Sequence, residues 1–416
     1  MKINTNPIRG CLDFAPTEAA RRQAAINIIL QTYKDNGFLQ IKTPVLESLD
    51  LLIKSDSGDN ATQLMFKTIK RGEKLDLKKP GLTEEDIAEE GLRYDLTVPL
   101  ARFFAGHKSD LPSPFRSIQI DDSFRAERPQ KGRFRQFTQC DIDIFGDGTI
   151  LAETELISTA LCAYKNLGLK NLIIKINSRK ILRAVILKAG FDLQQEGAVC
   201  IVIDKIDKIG LEGCRTELAA LGFDAEKTDR LCELLKESRR QGIGFLKQQK
   251  LAEEEVRNLD ELLNVLKENI PADYSAEFDI GIVRGQSYYT GFVFEVFQLG
   301  GEYKGAVGGG GRYDTMLEKM LGESIPAVGF GMGLDTVLLV LDEQGIVFKK
   351  GRKKLALIYE KAEPVKKIME AKRKYMKDYE ISVFVQPKNM GEFTRKIKLA
   401  GFDGMVFLKT GKIELF

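Results

Sequence analysis

The most regular alternation of polar and apolar residues lies between Ser123 and Gly146, in SFRAERPQKGRFRQFTQCDIDIFG. Two alternating runs flank a strongly basic turn, a pattern that predicts a β-hairpin. On the returning run every second residue is polar, so we expect Gln139, Asp141 and Asp143 on one face of a strand.

This hairpin also carries candidate chemistry, because its turn and flanks supply the cations Arg125, Arg128, Lys131, Arg133 and Arg135. Guanidinium groups pair bidentately with phosphate, while a carboxylate and an amide on one strand suit an amino or imidazole group. The hairpin therefore predicts a site for a nucleotide and a small polar substrate. The alternative is a solvated surface hairpin held by salt bridges.

Hydrophobic spacing predicts the elements before the hairpin. Apolar residues at helical spacing follow Thr17, a candidate N-cap, and end at Asn36 and Gly37. FLQIKTPVLE is expected to form a strand that stops at Pro44, and the polar stretch 70–90 a mobile loop before the strand LRYDL.

The pattern after the hairpin predicts an interrupted body. Helical spacing dominates 177–272, whereas strand signals return in AEFDIGIVRG and YYTGFVFEVF. The glycine run Gly308–Gly311 lets backbone approach a ligand closely, with a tight bend as the alternative. Beyond the linker KKGRKK, the order strand, helix, strand, helix, strand predicts a small α/β domain with a partly parallel sheet.

Charge distribution adds one feature to this outline. The 416-residue chain has a net charge of +3, but 346–416 contain 18 Lys or Arg against 8 Asp or Glu. This tail is therefore at +10 and the rest of the chain at −7. A basic tail domain is compatible with contact to an RNA backbone, and also with simple solvation.

The remaining composition excludes several classes of protein. The six cysteines form no CxxC pair, and no long apolar run or leader is present, so we expect reduced thiols, no membrane association and a cytoplasmic location. His107, the one histidine, is expected in an exposed loop. A single histidine excludes Ser-His-Asp triads and multi-histidine metal sites, so catalysis must use Arg, Lys, Asp, Glu, Tyr or a bound metal, whose ligands remain unknown.

Several motifs, in order, resemble those of histidyl-tRNA synthetases, which are class II aminoacyl-tRNA synthetases. The helix and strand ending at Pro44 resemble the first class II motif. The other segments are LRYDLTVP at Leu92 to Pro99, FRAERPQKGRFRQFTQCDID at Phe124 to Asp143, RGQSYYTG at Arg284 to Gly291, and GGRYD at Gly310 to Asp314. Together they cover nearly the whole chain.

The resemblance implies an α+β fold, with a class II synthetase-like antiparallel sheet flanked by helices. It places the catalytic core in 1–176 and 273–345, a helical insertion in 177–272, and a shortened anticodon-binding-like α/β domain in 353–416. It also implies a cytoplasmic homodimer that uses ATP with Mg²⁺ to activate histidine and then ligates the histidine to its tRNA.

The resemblance further implies roles for residues that contact ATP. Arg125 and Arg284 would hold the α-phosphate, where negative charge accumulates as the histidine carboxylate attacks, and they are the catalytic candidates. Glu127 would contact the adenine amino group, Arg133 the terminal phosphates, and Phe137 would stack on the purine.

A second set would bind histidine. Carbonyl and carboxylate acceptors facing the imidazole N–H groups would select histidine over an apolar residue of similar size. The residues assigned to histidine binding are Asp95, Leu96, Thr97, Gln139, Asp143, Tyr288, Tyr289 and Tyr313. For the tyrosines, core packing is the alternative.

Three departures from the family pattern keep other functions open. The third motif reads GLDT at Gly333 to Thr336, where the family has GLER; Gln286 and Ser287 replace Leu-Asp in the histidine signature; and the tail is short. One alternative is a non-aminoacylating paralogue that binds histidine or nucleotide and regulates another enzyme, like the ATP phosphoribosyltransferase regulatory subunit. The other is an adenylating ligase with a non-tRNA acceptor.

Overall fold

The predicted hairpin lies at the centre of a large sheet. The computed structural model describes residues 3–55, 64–130, 132–284, 288–348 and 351–416. In it, strand β5 (Phe115–Phe124) pairs antiparallel with β6 (Gln136–Phe145). The register runs from Phe115 opposite Phe145 to Phe124 opposite Gln136, which confirms the hairpin. Its first strand begins eight residues before Ser123 because FRSIQID continues the apolar alternation.

Eight strands form this sheet, in the order β1-β5-β6-β11-β10-β9-β7-β8. The central pairs are antiparallel, while β1 with β5 and β7 with β8 are parallel, so only the interior matches the expected antiparallel sheet. The other strands are β1 (Leu39–Gln40), β7 (Leu172–Ser178), β8 (Ser275–Phe278), β9 (Phe292–Gln298), β10 (Gly308–Arg312) and β11 (Ala327–Gly333).

The glycine run forms β10 rather than a bend. It lies between β9 and β11 with unbroken antiparallel register, so the tight-bend alternative is wrong. A Cβ on Gly310 would overlap the carbonyl oxygen of Gly329 on β11. Glycine is therefore required because the neighbouring backbone lies where a side chain would be.

Helices cover the sheet with apolar faces. The helices α1 (Pro16–Asp35), α4 (Thr97–His107), α5 (Ile150–Leu167) and α13 (Leu334–Glu343) each bury side chains, for example Tyr33, Leu156 and Val337. Burying such side chains drives the packing of helix on sheet. Helix α5 ends where Gly168 adopts a positive φ of 90°, as glycine commonly does after a helix.

The region predicted to form two strands joined by a mobile loop instead contains a small sheet, in the order β2-β4-β3. FLQIKTPVLE divides into β1 and β2 (Leu46–Ser48), which join different sheets. The polar stretch 70–90 contains the short helix α3 (Glu84–Ile87) and most of β4 (Ala88–Leu92), which ends where LRYDL was expected to begin. The remaining elements here are α2 (Leu49–Ser55) and β3 (Lys67–Ile69).

Between β7 and β8 the chain is helical, as its spacing predicts. The helices are α6 (Arg179–Lys188), α7 (Glu196–Ile203), α8 (Ile206–Ala220), α9 (Ala225–Gln241), α10 (Ile243–Gln248) and α11 (Glu253–Asn269). Their apolar faces pack together around buried leucines such as Leu231 and Leu259. AEFDIGIVRG contributes only its first three residues to a strand, as part of the four-residue β8, and the short helix α12 (Glu318–Leu321) lies between β10 and β11.

The described chain divides into a larger unit, Met1–Cys11 with Ile26–Ile346, and a smaller unit, Leu12–Ala25 with Val347–Phe416. In the smaller unit β12 (Lys354–Tyr359) is parallel to its neighbours β13 and β14, which confirms the expected tail. Its other elements are α14 (Val365–Tyr375), β13 (Glu380–Val385), α15 (Met390–Leu399), β14 (Gly404–Phe407) and the antiparallel β15 (Ile413–Leu415).

Two further expectations concern the composition. No helix in the described ranges is both long and apolar enough to span a bilayer. All six cysteines are free thiols, four of them buried, as expected for reduced cysteines.

Candidate active site

A cavity of about 750 Å³ opens on the larger sheet. Strands β6, β9, β10 and β11 line it, together with the hairpin turn, the segments on either side of β9 and a few residues of the helical insertion. Arg125 and Arg284, which are distant in sequence, both line this cavity. The cavity-lining residues that the sequence assigns to a site are Asp95, Thr97, Arg125, Glu127, Arg133, Phe137, Gln139, Asp143, Arg284, Tyr288, Tyr289 and Tyr313.

The segment before α4 brings Asp95 to the cavity. Arg93, which is fully buried, donates hydrogen bonds to the carbonyls of Asp122 (2.8 Å) and Thr43 (3.0 Å) and so fixes this segment beside β5. An oxygen of Asp95 accepts from the N–H of Val98 at 3.1 Å. Leu96 differs from its neighbours, because its side chain is buried in the core and does not line the cavity.

Buried acceptors from β6 form one wall of the cavity. Asp143 accepts a hydrogen bond of 2.5 Å from the hydroxyl of Tyr313, and the amide nitrogen of Gln139 donates to Asp141 at 3.2 Å. Burial raises the pKa of Asp143 to about 7, even though the bond from Tyr313 lowers it. Burial, and then the charges of Asp143 and Asp95, raise the pKa of Asp141. These carboxyl groups suit a ligand that donates protons or carries positive charge.

Glycines on the neighbouring strands leave room for these side chains. A Cβ on Gly329 of β11 would overlap the carboxylate of Asp143, to which it lies directly opposite in the register. A Cβ on Gly309 of β10 would likewise overlap the guanidinium of Arg284. The glycine-rich strands thus form the floor on which the polar groups rest.

Arg284 enters the cavity from a strained backbone. Its φ of 59° lies in the left-handed region, which residues with a Cβ rarely adopt. The guanidinium is 3.2 Å from the carboxylate of Glu295 on β9 and 5.8 Å from the ring centre of Tyr289. Gln286 and Ser287, the departures in this motif, lie outside the described residues.

The hairpin contributes a second cationic wall. The Nε of Arg125 donates to the carbonyl of Tyr94 at 3.1 Å, and its guanidinium lies 5.1 Å from the centre of the Phe137 ring. Arg133 is two-thirds exposed and lies 3.9 Å from Glu127, a loose pair that leaves its charge available to a ligand.

The other basic residues of the turn have different environments. Arg135 donates to the carbonyl of Glu127 at 3.1 Å and, like Arg128, does not line the cavity. Lys131 lies outside the described residues. The hairpin therefore directs two of its predicted cations into the cavity and uses Arg135 to brace the turn.

Three tyrosines close the end of the cavity near Asp143. The ring centres of Tyr288 and Tyr289 are 4.8 Å apart, and those of Tyr288 and Tyr313 are 5.9 Å apart. All three are buried in a hydrophobic cluster while still lining the cavity, so core packing and wall formation coexist. Tyr288 and Tyr289 precede β9 rather than lying within it, which corrects the expected strand.

Five carboxylates that line this cavity were not assigned to a site from the sequence, and two of them lie on strands of the sheet; the five are Asp141, Asp204, Asp207, Glu295 and Asp335. Asp141 was placed on the polar face of β6 but was not assigned to binding, although it lines the cavity. Glu295 is the one charged residue of FVFEVFQ, and a carboxylate within such an apolar strand is the signal that could have identified it.

The third-motif position is uncharged. Thr336, in the first turn of α13, lines the cavity, and its neighbour Asp335 accepts from the N–H of Thr138 at 3.3 Å. Among the described residues, no cluster of three or more His, Cys, Asp or Glu side chains could hold a metal ion. His107 is exposed but forms the last residue of α4 rather than part of a loop.

Comparisons with known proteins agree with this arrangement. The family model of histidyl-tRNA synthetase matches residues 10–337. A histidine–tRNA ligase of Leifsonia xyli is 37% identical over 97% of this chain and 95% of its own length. A histidine–tRNA ligase of Christiangramia forsetii is 33% identical over 81% of this chain and 77% of its own length.

Solved structures show the same fold at lower identity. Histidyl-tRNA synthetase from Nostoc sp. PCC 7120 superposes with a TM-score of 0.76 at 22% identity, covering 100% of this chain and 97% of that one. A Bacillus halodurans protein, described as an ATP phosphoribosyltransferase regulatory subunit/histidyl-tRNA synthetase, also gives 0.76, at 20% identity, over 98% and 99% of the two chains.

Proposed function

The chain belongs to the histidyl-tRNA synthetase family, and on that basis we propose that it is an ATP-dependent histidine–tRNA ligase. The observation that supports this most strongly is the shared cavity of Arg125 and Arg284 with the acceptors Gln139 and Asp143. Cations suited to a phosphate and acceptors suited to an imidazole thus line the same cavity.

In the first step, a carboxylate oxygen of histidine attacks the α-phosphorus of ATP. The bond from that phosphorus to the bridging oxygen breaks, releasing pyrophosphate and leaving histidyl-adenylate. Arg125 and Arg284 bind the α-phosphate, where they reduce repulsion between two anions and stabilise the charge of the transition state. The strained backbone of Arg284 and its pairing with Glu295 hold the guanidinium in place before the substrates arrive.

The remaining ATP contacts come from the hairpin. Phe137 stacks on the adenine, Glu127 accepts from the adenine amino group, and Arg133 binds the terminal phosphates. The exposure of Arg133 and its long pair with Glu127 suit a cation that changes partner when a phosphate arrives. Mg²⁺ fits as a companion of ATP, since it commonly binds through substrate phosphates and water rather than a protein cage.

Histidine occupies the end formed by the carboxyl groups and tyrosines. Asp143, held by Tyr313, accepts from an imidazole N–H, while Asp95, Thr97 and Gln139 contact the remaining polar groups. Tyr288 and Tyr289 form the walls of this end of the cavity. A substrate lacking the imidazole N–H would leave a buried acceptor unpaired, which gives selectivity.

In the second step, a ribose hydroxyl of the tRNA attacks the activated carbonyl and releases AMP. The basic segment 346–416 favours contact of the smaller unit with tRNA, and its role as an anticodon-binding domain is part of this proposal, as are homodimerisation and a cytoplasmic location.

Histidine-dependent exchange of pyrophosphate into ATP tests the activation step. Wild-type protein should show exchange, and Arg284→Ala should lower its rate at least about 100-fold, because a preorganised donor to the transition state is lost. Arg183→Ala removes a half-exposed arginine from α6, outside the cavity, and should leave exchange within about twofold.

The same assay separates the alternatives. Histidine binding without exchange would contradict the proposal and favour the regulatory paralogue, which the uncharged Thr336 also favours. Exchange without charging of histidine tRNA would instead favour an adenylating ligase with another acceptor.

A further inference from the structure

The cavity offers few unshared cations for a triphosphate. Arg284 lies 3.2 Å from Glu295, and Arg133 lies 3.9 Å from Glu127, so carboxylates offset part of their charge. Thr336 adds no charge at the start of α13. A triphosphate keeps net negative charge even when it binds Mg²⁺, so a further cation beside Arg133 would stabilise its terminal phosphates.

The segment between β9 and β10 reaches this part of the cavity along α13. The backbone N–H groups of Glu302 and Tyr303 both donate to the carboxylate of Glu343, each at 3.2 Å. Glu343 lies seven residues after Thr336, which places the two on one face of the helix. The segment therefore lies against the same helical face as Thr336.

Tyr303 extends the contact to the hairpin turn. A Cβ on Gly132 would be 3.4 Å from the Tyr303 ring and 3.8 Å from Leu339 of α13. The turn that carries Arg133 thus meets α13 and the Tyr303 segment at one place. Lys304 follows Tyr303 directly and lines the cavity together with Arg133 and Thr336.

The ammonium of Lys304 is available to a ligand. Its Nζ donates to the carbonyl of Gly301 at 2.6 Å, which uses one of three donors. Within the part of the chain that the structure describes, no carboxylate forms an ion pair with it, and the side chain is exposed. Its charge is therefore not neutralised by the protein.

We propose that Lys304 binds the terminal phosphates of ATP beside Arg133 and provides the positive charge that Thr336 does not. This inference rests on the proposed function. Lys208, the other lysine among the described residues that line the cavity, lies in α8 next to Asp207, which is bound by Arg239. Arg239 also contacts Asp279, which follows β8 at one edge of the sheet. Strand β6, which follows the hairpin turn, and strand β11, which precedes α13, lie several strands away from that edge. Lys208 is therefore a charge-matched control.

Titration calorimetry with Mg²⁺-ATP on the full chain tests the contact without requiring catalysis. Lys304→Met should weaken ATP binding roughly tenfold or more, as expected for loss of a charge-assisted hydrogen bond, while histidine affinity stays unchanged. Lys304→Arg should keep most of the affinity. Lys208→Met should change it by less than about twofold.

A second-site rescue gives the sharper test. Thr336→Arg introduced into Lys304→Met should restore ATP affinity, because the two positions serve the same phosphates. The proposal is overturned if Lys304→Met binds ATP like the wild type, if Lys208→Met loses as much affinity, or if Thr336→Arg restores nothing.

Failure of the ligase function is distinguishable from failure of this contact. A wild type that binds ATP but shows no histidine-dependent exchange contradicts the ligase function alone, and the affinities of the Lys304 variants still decide the contact. A wild type that does not bind ATP overturns both.

Discussion

At the scale of single residues, the buried carboxyl group of Asp143 links recognition to stability. Its pKa is raised from 3.8 to about 7 chiefly because burial disfavours the charged form. Between those two values the folded chain retains a proton that the unfolded chain releases, so this group makes stability fall as pH rises. Above about pH 7 the carboxylate is charged in the folded chain as well, so the full free-energy cost of burying its charge is present.

Asp143→Asn should therefore be more stable relative to wild type at pH 8 than at pH 5. The amide oxygen can still accept from Tyr313, but it carries no charge that must be buried. Thermal unfolding at both pH values measures the difference, which should widen by a few degrees at pH 8. A difference that is the same at pH 5 and pH 8 would contradict the raised pKa.

At the scale of elements, β10 determines how closely three strands approach. Its glycines allow β9 and β11 to lie against it, and they leave space for Arg284 above the sheet. The absence of Cβ atoms on β10 therefore has two effects. It lets the neighbouring strands pack closely, and it leaves room for a side chain that lines the cavity.

Gly310→Ala should lower the free energy of unfolding by about 3 kcal/mol, because the new methyl group overlaps the backbone of Gly329. Chemical denaturation measures this change. The matched control is Gly106→Ala in α4, an exposed helical glycine with no atom within 4 Å of its added Cβ. That change should raise stability by about 0.5–1 kcal/mol, and an equal effect of both would refute the packing argument.

At the scale of the larger unit, Asp279 ties the helical insertion to the sheet. It accepts from Lys175 of β7 at 2.7 Å and lies 3.4 Å from Arg239 of α9. Burial alone would raise its pKa, but the hydrogen bonds from Lys175 and from the N–H of Gly281, with the nearby positive charges, lower it below 3.8. The lowered pKa therefore stabilises the fold at pH values above the pKa of this group in the unfolded chain. This stabilisation is lost as the pH falls through the pKa of the group in the folded chain.

Asp279→Asn should accordingly lower the free energy of unfolding by about 2 kcal/mol at neutral pH, because two cations lose a buried partner. Urea unfolding at pH 7 and pH 3 should show the loss shrinking at the lower pH, because the stability that the lowered pKa of Asp279 contributes declines as the pH falls below the pKa of the unfolded chain. Asp273→Asn, an exposed carboxylate that accepts one backbone hydrogen bond, is the control. A loss of equal size in the control would show that the charged network is not responsible.

Much of the fold could be predicted because its signals are local. Alternation identified β5 and β6, helical spacing identified the insertion, and the tail followed its predicted order. The errors arose where partners are distant in sequence. FLQIKTPVLE has strand character throughout, but its two ends pair with β5 and β4, which divides it.

The candidate site divides in the same way. The order of the elements, the family, and the residue types able to bind a phosphate and an imidazole follow from the amino-acid sequence alone, because they depend on spacing and side-chain chemistry. The folded chain was needed to show that the glycine run is a central strand and that Leu96 is buried in the core. It was also needed to show that Glu295 and Lys304 line one cavity with Arg284 and Arg133. These outcomes depend on close approach between distant segments, which local sequence does not specify.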